Sequence, residues 1–104
     1  MASDSKVIHI TSDEQYAKVI KNAGSKMVVV DFSASWCGPC RRLAPQYEKW
    51  AAEYDTIVFL HVDVDEMNEL AEENSISAMP TLLFLKDGKE GPKRIRAADM
   101  ARIA

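Results

Sequence analysis

Cys37 and Cys40 are the only two cysteines of the chain, and two residues separate them in Trp36-Cys37-Gly38-Pro39-Cys40. On a turn or at a helix start, sulfurs at that spacing can come within bonding distance and alternate between dithiol and disulfide. A disulfide stabilises a fold mostly by closing a long loop of the unfolded chain, and a Cys37–Cys40 bridge closes almost none. The pair therefore reads as a redox switch and not as a staple. Half of a zinc motif is the other chemistry open to it, but zinc takes four ligands. His9 and His61 are the remaining candidates, each alone in an alternating apolar segment, with no second cysteine pair and no histidine pair at ligand spacing. No metal is expected.

The two sulfurs have different tasks if a helix begins at the motif. Cys37 would lie at its start, where unpaired N–H groups and the positive end of the dipole favour a thiolate, so Cys37 is the expected nucleophile. Cys40, one turn in and more shielded, is placed to attack the mixed disulfide that Cys37 forms with a target. Pro39 removes a backbone donor and stiffens the turn, while Gly38 lets a target approach the sulfur closely. Asp31 stands between Val30 and Phe32 in an apolar run, where loss of water should raise its pKa and suit it to relay a proton to or from Cys40. An aspartate that reaches solvent at the strand end is the alternative.

The elements that must position these groups alternate between strand and helix signals. Val7 to Ile10 reads as a short strand, and Ser12 with Gln15 makes a capping box for a helix that Gly24 can end. Met27 to Phe32 is β-branched and almost wholly apolar, which fits a central strand buried on both faces. From Cys40 onward Leu43, Tyr47, Trp50, Ala51 and Tyr54 recur at helical spacing, with Pro45 inside the run as a source of a kink. Ile57 to Val62 reads as a strand, Asp65 as the cap of a short acidic helix to about Asn74, and Thr81 to Leu85 as a fourth strand. Asp87-Gly88 predicts a hairpin, and Gly91-Pro92 interrupts the returning strand. Ala97 to Ala104 leaves room for barely two turns of a last helix.

Residues 1–104 are expected to form a single α/β domain, since a chain this short supports one core. The composition is 47% hydrophobic and 28% charged, which suits a globular protein. A formal net charge of -3 argues against non-specific nucleic-acid binding, which needs a basic surface. Met1 to Lys6 is polar with no apolar stretch behind it, and no apolar run approaches a membrane span, so a cytoplasmic protein is expected. In a reducing compartment two cysteines at this spacing are catalytic or metal-binding.

Trp36-Cys37-Gly38-Pro39-Cys40, the preceding Asp31, Met79-Pro80-Thr81 and Lys86-Asp87-Gly88-Lys89 together resemble the thioredoxin family over about Val7 to Gly88. The resemblance implies a thioredoxin fold, a central mixed β-sheet of about five strands flanked by about four helices. It implies a disulfide reductase cycling between dithiol and disulfide at Cys37 and Cys40, with a buried acid at Asp31. Met79 and Pro80 would form the second half of the site, with the proline cis and facing the disulfide and the residue before it pairing with an extended substrate. Trp36 would supply apolar surface beside Cys37. No cofactor is implied; electrons come from a thioredoxin reductase and pass to disulfide-containing targets such as peroxiredoxins and ribonucleotide reductase, and the protein is a monomer. An oxidant or isomerase of the same fold is the nearest alternative, disfavoured by Gly38-Pro39, and a binding subunit with incidental cysteines is a further one.

Trp50, Phe32, Phe59 and Phe84 are assigned to the core, and His61 to a satisfied strand histidine. Asp63, Asp65, Glu66, Glu69, Glu72 and Glu73 read as a solvated acidic face, and Lys93, Arg94, Arg96 and Arg102 as a basic end. Arg96 falls where thioredoxins commonly carry a glycine beside the substrate groove.

Overall fold

Seven residues from Met27 to Ser33 form a strand in which every position after Met27 is buried, as a β-branched apolar run between two layers of helix should be. The computed structural model that shows this describes residues 5–96. Its elements run Ile8–His9 (β1), Asp13–Ala23 (α1), Met27–Ser33 (β2), Gly38–Glu53 (α2), Ile57–Asp63 (β3), Asn68–Glu73 (α3), Thr81–Lys86 (β4) and Lys89–Glu90 (β5). The sheet order is β1-β3-β2-β4-β5, with β2 at the centre. β1, β3 and β2 run parallel, and β4 and β5 join antiparallel. The five expected strands are present with three helices; the fourth helix, expected over Ala97 to Ala104 with Met100, Arg102 and Ile103, lies outside the described residues.

Alternation along β2 divides the core. Val28, Val30 and Phe32 point to one layer with Leu60, Val62, Leu83 and Leu85, covered by Val19 and Ile20 of α1 and by Leu70 and Ala71 of α3. Val29 points to the other layer with Phe59 and Leu82, covered by Tyr47 and Ala51 of α2. Trp50 and Phe84 are partly buried against this second layer, as their core assignment requires. Tyr54 is not core: it is the C-cap of α2 and 51% exposed, because the apolar stripe ends one turn before it.

Local chemistry explains the element ends. The Ser12 hydroxyl accepts from the Gln15 amide at 3.1 Å, while the Gln15 side chain reaches back to the Thr11 amide at 2.7 Å, one residue earlier than in the expected box. Gly24, at φ 59°, ends α1 in the left-handed region. Pro45 lies inside α2, where its missing N–H leaves the Arg41 carbonyl without a helical donor. Asp65 does not cap α3. The helix begins three residues later, behind Met67 with no side-chain cap, because Asp65 sits in a turn where its amide donates to Asp63 Oδ1 at 2.8 Å.

At the other edge Asp87 (φ 53°) and Gly88 (φ 78°) make the two-residue turn expected between β4 and β5. Pairing then breaks. Between the Leu85–Glu90 and Leu82–Ile95 pairs the returning chain advances five residues against three on β4, a bulge held by the Gly91 amide on the Phe84 carbonyl at 2.8 Å. Arg94 is no idle member of a basic tail. Its guanidinium holds both Glu90 carboxylate oxygens at 2.8 and 2.9 Å and the Asn74 carbonyl at 2.9 Å, pinning the bulge to the end of α3.

The Tyr47 hydroxyl ties α2 to the sheet, lying 3.1 Å from the Val29 carbonyl oxygen and 2.7 Å from that of Leu60. Tyr47→Phe removes a buried donor and should cost about 1–2 kcal/mol in urea denaturation; an unchanged midpoint would show that the hydroxyl contributes nothing.

Candidate redox site

β2 ends at Ser33, and a short turn carries the chain into α2 with Cys37 as its N-cap. The turn closes through the Cys37 amide, which donates to the Ala34 carbonyl at 3.1 Å. Cys37 and Cys40 are joined as a disulfide, their Cα atoms 5.2 Å apart. The Cys37 sulfur also does what a serine hydroxyl does at an N-cap: it accepts from the Cys40 amide, 3.2 Å away. Once the bridge opens, that donor and the first turn of a sixteen-residue helix stabilise negative charge on Cys37. Pro39 occupies the first turn, where its missing N–H costs no helical bond. A Cβ built on Gly38 would meet only Arg42 Nη1 at 3.5 Å, an ordinary contact, so nothing within the fold demands glycine there.

The Met79–Pro80 peptide is cis, in agreement with the resemblance. The Met79 carbonyl oxygen lies 3.5 Å from the Cys37 sulfur, which in the thiol state can donate to it. Met79, Val64 and Ala34 make the apolar surround of both cysteines. Pro80 is fully buried beneath this contact. The expectation that Cys40 is the more shielded sulfur is not met by overall exposure, which is 5% for Cys37 and 6% for Cys40. Hydrogen bonding separates the two instead, since it is Cys37 that receives the helix amide and faces Met79.

Trp36 is 63% exposed, which rules out a core role and leaves its indole on the surface adjoining Cys37. Its Nε1 donates to Asp65 Oδ2 at 2.8 Å. Asp65 is thus a site-positioning group that sequence reasoning placed at a helix cap. Only the pairing of two loops 29 residues apart reveals it.

Asp31 is 3% exposed, on the α2 face of β2 with His61 of β3 and Leu82 of β4 as its register neighbours. Its Oδ1 has no hydrogen-bond partner among the described residues. Burial pushes its carboxyl up from 3.8 to about 7. The alternative of a solvent-reaching strand-end aspartate is excluded. Tyr47 feels the same environment, its phenol raised first by burial and then by the charge of Asp31.

The histidines are not isolated. β1 and β3 pair in parallel with His9 opposite His61, and the two Nδ1 atoms are 3.2 Å apart. His61 Nε2 is 2.7 Å from the hydroxyl of Ser33, itself buried. Burial and then His9 hold His61 below its ordinary pKa, against the upward pull of Asp63 and Glu48. His61 is the satisfied strand histidine expected, but its partners lie on two other strands.

The raised Asp31 pKa has a stability consequence with a definite sign. A carboxyl that holds its proton more tightly when folded contributes stability that is complete below about pH 3.8 and lost as pH rises through about 7. From 3.8 to about 7, at about 1.36 kcal/mol per pH unit, the loss is about 4 kcal/mol. Asp31→Asn should therefore be more stable than the native chain at about pH 8, by up to about 4 kcal/mol, with the gain shrinking toward pH 4. Denaturation curves that differ by the same amount at both pH values would contradict it.

The thioredoxin family model matches residues 7–104. A thioredoxin of Geodia cydonium is 48% identical over 88 residues, covering 85% of this chain and 83% of the relative. Thioredoxin-2 of Saccharomyces cerevisiae is 45% identical over 97 residues, covering 93% and 91%. The crystal structure of a thioredoxin from Nicotiana alata superposes with a TM-score of 0.86 at 37% identity, over 95% of this chain and 87% of that one. A disulfide at the N-terminus of a helix after the central strand, faced by a cis-proline segment, is thus accompanied by likeness along nearly the whole chain, and the chain belongs to the thioredoxin family of thiol–disulfide oxidoreductases.

Proposed function

We propose that this chain reduces disulfides in other proteins, with Cys37 as nucleophile and Cys40 as resolving thiol. The observation that carries the assignment is the Cys37 sulfur held at the N-cap of α2 by the Cys40 amide and facing Met79. The Cys37 thiolate attacks one sulfur of the target disulfide, forming a mixed disulfide and releasing the other target sulfur as a thiolate. Cys40 then gives its proton to the Asp31 carboxylate and attacks the Cys37 sulfur. The Cys37–Cys40 bridge forms and the second target sulfur leaves. A carboxyl with a pKa of about 7 is half-ionised at neutral pH, which is what a group exchanging a proton in that step requires.

The surrounding residues support docking of an extended target. Met79 presents backbone beside the reactive sulfur, and buried Pro80 holds it there. Trp36, tethered by Asp65, offers apolar surface, and the bare Cα of Gly38 leaves the approach open. Pro39 stiffens the turn and tunes the redox poise. Arg96 is exposed just after the Leu82–Ile95 pair, and its charge would bear on target choice. Thioredoxins need no cofactor, and two electrons from a thioredoxin reductase restore the dithiol. Peroxiredoxins and ribonucleotide reductase represent the target class, and the working state is a monomer in the cytoplasm. No helix among the described residues is long and apolar enough to cross a membrane.

The test couples the chain to thioredoxin reductase and NADPH with insulin as substrate. Native protein should reduce insulin, and Cys40→Ser should trap mixed disulfides through Cys37. Absence of both would overturn the assignment, and partner binding that survives Cys37→Ser with Cys40→Ser and has no redox phenotype would favour a binding subunit. Asp31→Ala should slow the resolving step at neutral pH by at least about 10-fold; unchanged single-turnover kinetics would remove Asp31 from the mechanism.

A further inference from the structure

We infer that His9 and His61 form a binding site for a single transition-metal dication such as Zn2+ at the β1 edge of the sheet, separate from the cysteines. Two imidazole nitrogens each about 2.0–2.1 Å from one zinc ion in tetrahedral geometry stand about 3.3–3.4 Å apart. The Nδ1 atoms of His9 and His61 are 3.2 Å apart, within about 0.2 Å of that separation.

The second observation concerns the other nitrogen of His61. Its Nε2 is 2.7 Å from Ser33 Oγ, on the central strand and 4% exposed. With Nε2–H donating to that hydroxyl, the Nδ1 lone pair of His61 is aimed at His9 and the ring is fixed, as the outer partner of a metal-bound histidine does. In the metal-free protein one hydrogen lies between the two Nδ1 atoms. Metal binding replaces it, with His9 taking the tautomer protonated at Nε2. His9 is exposed, which gives the ion an entry path.

Two acidic neighbours of His61 oppose the burial and the His9 ring that hold it below its ordinary pKa. Asp63 and Glu48 both act on His61 as negative charges, and Glu48 is held near the chain start by the Ser5 hydroxyl at 2.6 Å. Among the described residues no third His, Cys, Asp or Glu completes a set, so water fills the remaining positions. Imidazole pairs favour zinc, nickel and copper over magnesium or calcium. The bound ion bridges β1 and β3, fastening a strand of two residues to the sheet.

The test is calorimetric titration of Zn2+ into the disulfide form, in which neither cysteine offers a thiolate. One saturable site is expected, weakening about 10-fold or more in His9→Asn and in His61→Asn and about 10-fold in Ser33→Ala. Because His9 is exposed, His9→Asn tests the site without opening the core, and circular dichroism without metal checks that each variant is folded. Affinity should also fall as pH drops and protons compete for the imidazoles. Magnesium should show no binding. Equal Zn2+ affinity in native protein and His9→Asn would overturn the proposal, as would no saturable binding up to millimolar metal.

Discussion

A strand with helices on both faces must be apolar on both faces, and β2 meets that condition at every buried position except two, Asp31 and Ser33. The rest of the molecule depends on this strand. Its pairing with β3 on one side and β4 on the other fixes where Cys37 emerges and where Met79 arrives, because Ser33 ends the first path and Thr81 begins the last. The two polar exceptions are treated differently. Ser33 has His61 as a partner, whereas Oδ1 of Asp31 has none among the described residues. A buried carboxyl oxygen without a partner among the described residues costs stability when the group is charged, and the fold retains one two residues before the end of β2.

Much of this was legible in the chain. Periodicity located β2, β3 and β4, Ser12 and Gly24 marked α1, and Asp87-Gly88 marked the hairpin, because each is a local signal read from adjacent residues. Asp31 could be identified as anomalous by its neighbours alone. The cysteine pair and the Met79-Pro80 segment could be joined only through likeness to a family, since 38 residues separate Cys40 from Met79 and no periodicity links them.

What the sequence hid are contacts made across the sheet or between loops. Asp65 looked like a helix cap because acidic residues before a helix usually are; the Trp36 indole claims its carboxylate instead. His9 and His61 looked solitary because parallel pairing brings together residues 52 apart. Arg94 looked like loose positive charge until the bulge turned it toward Glu90 and Asn74. Residue exposure does not distinguish the two cysteines, whereas hydrogen bonding does.

The sheet ends on one side with two residues of β1 and on the other with two residues of β5 followed by a bulge. Among the described residues neither rim offers the long row of free amides and carbonyls on which another extended chain could grow a ladder. A protein proposed to read its clients as strands must avoid being read as one by its own copies. Short, broken rims among the described residues leave the segment beside Cys37, where target docking is proposed, as the place for an extended chain to pair, so that pairing there would lead to electron exchange rather than to a growing ladder.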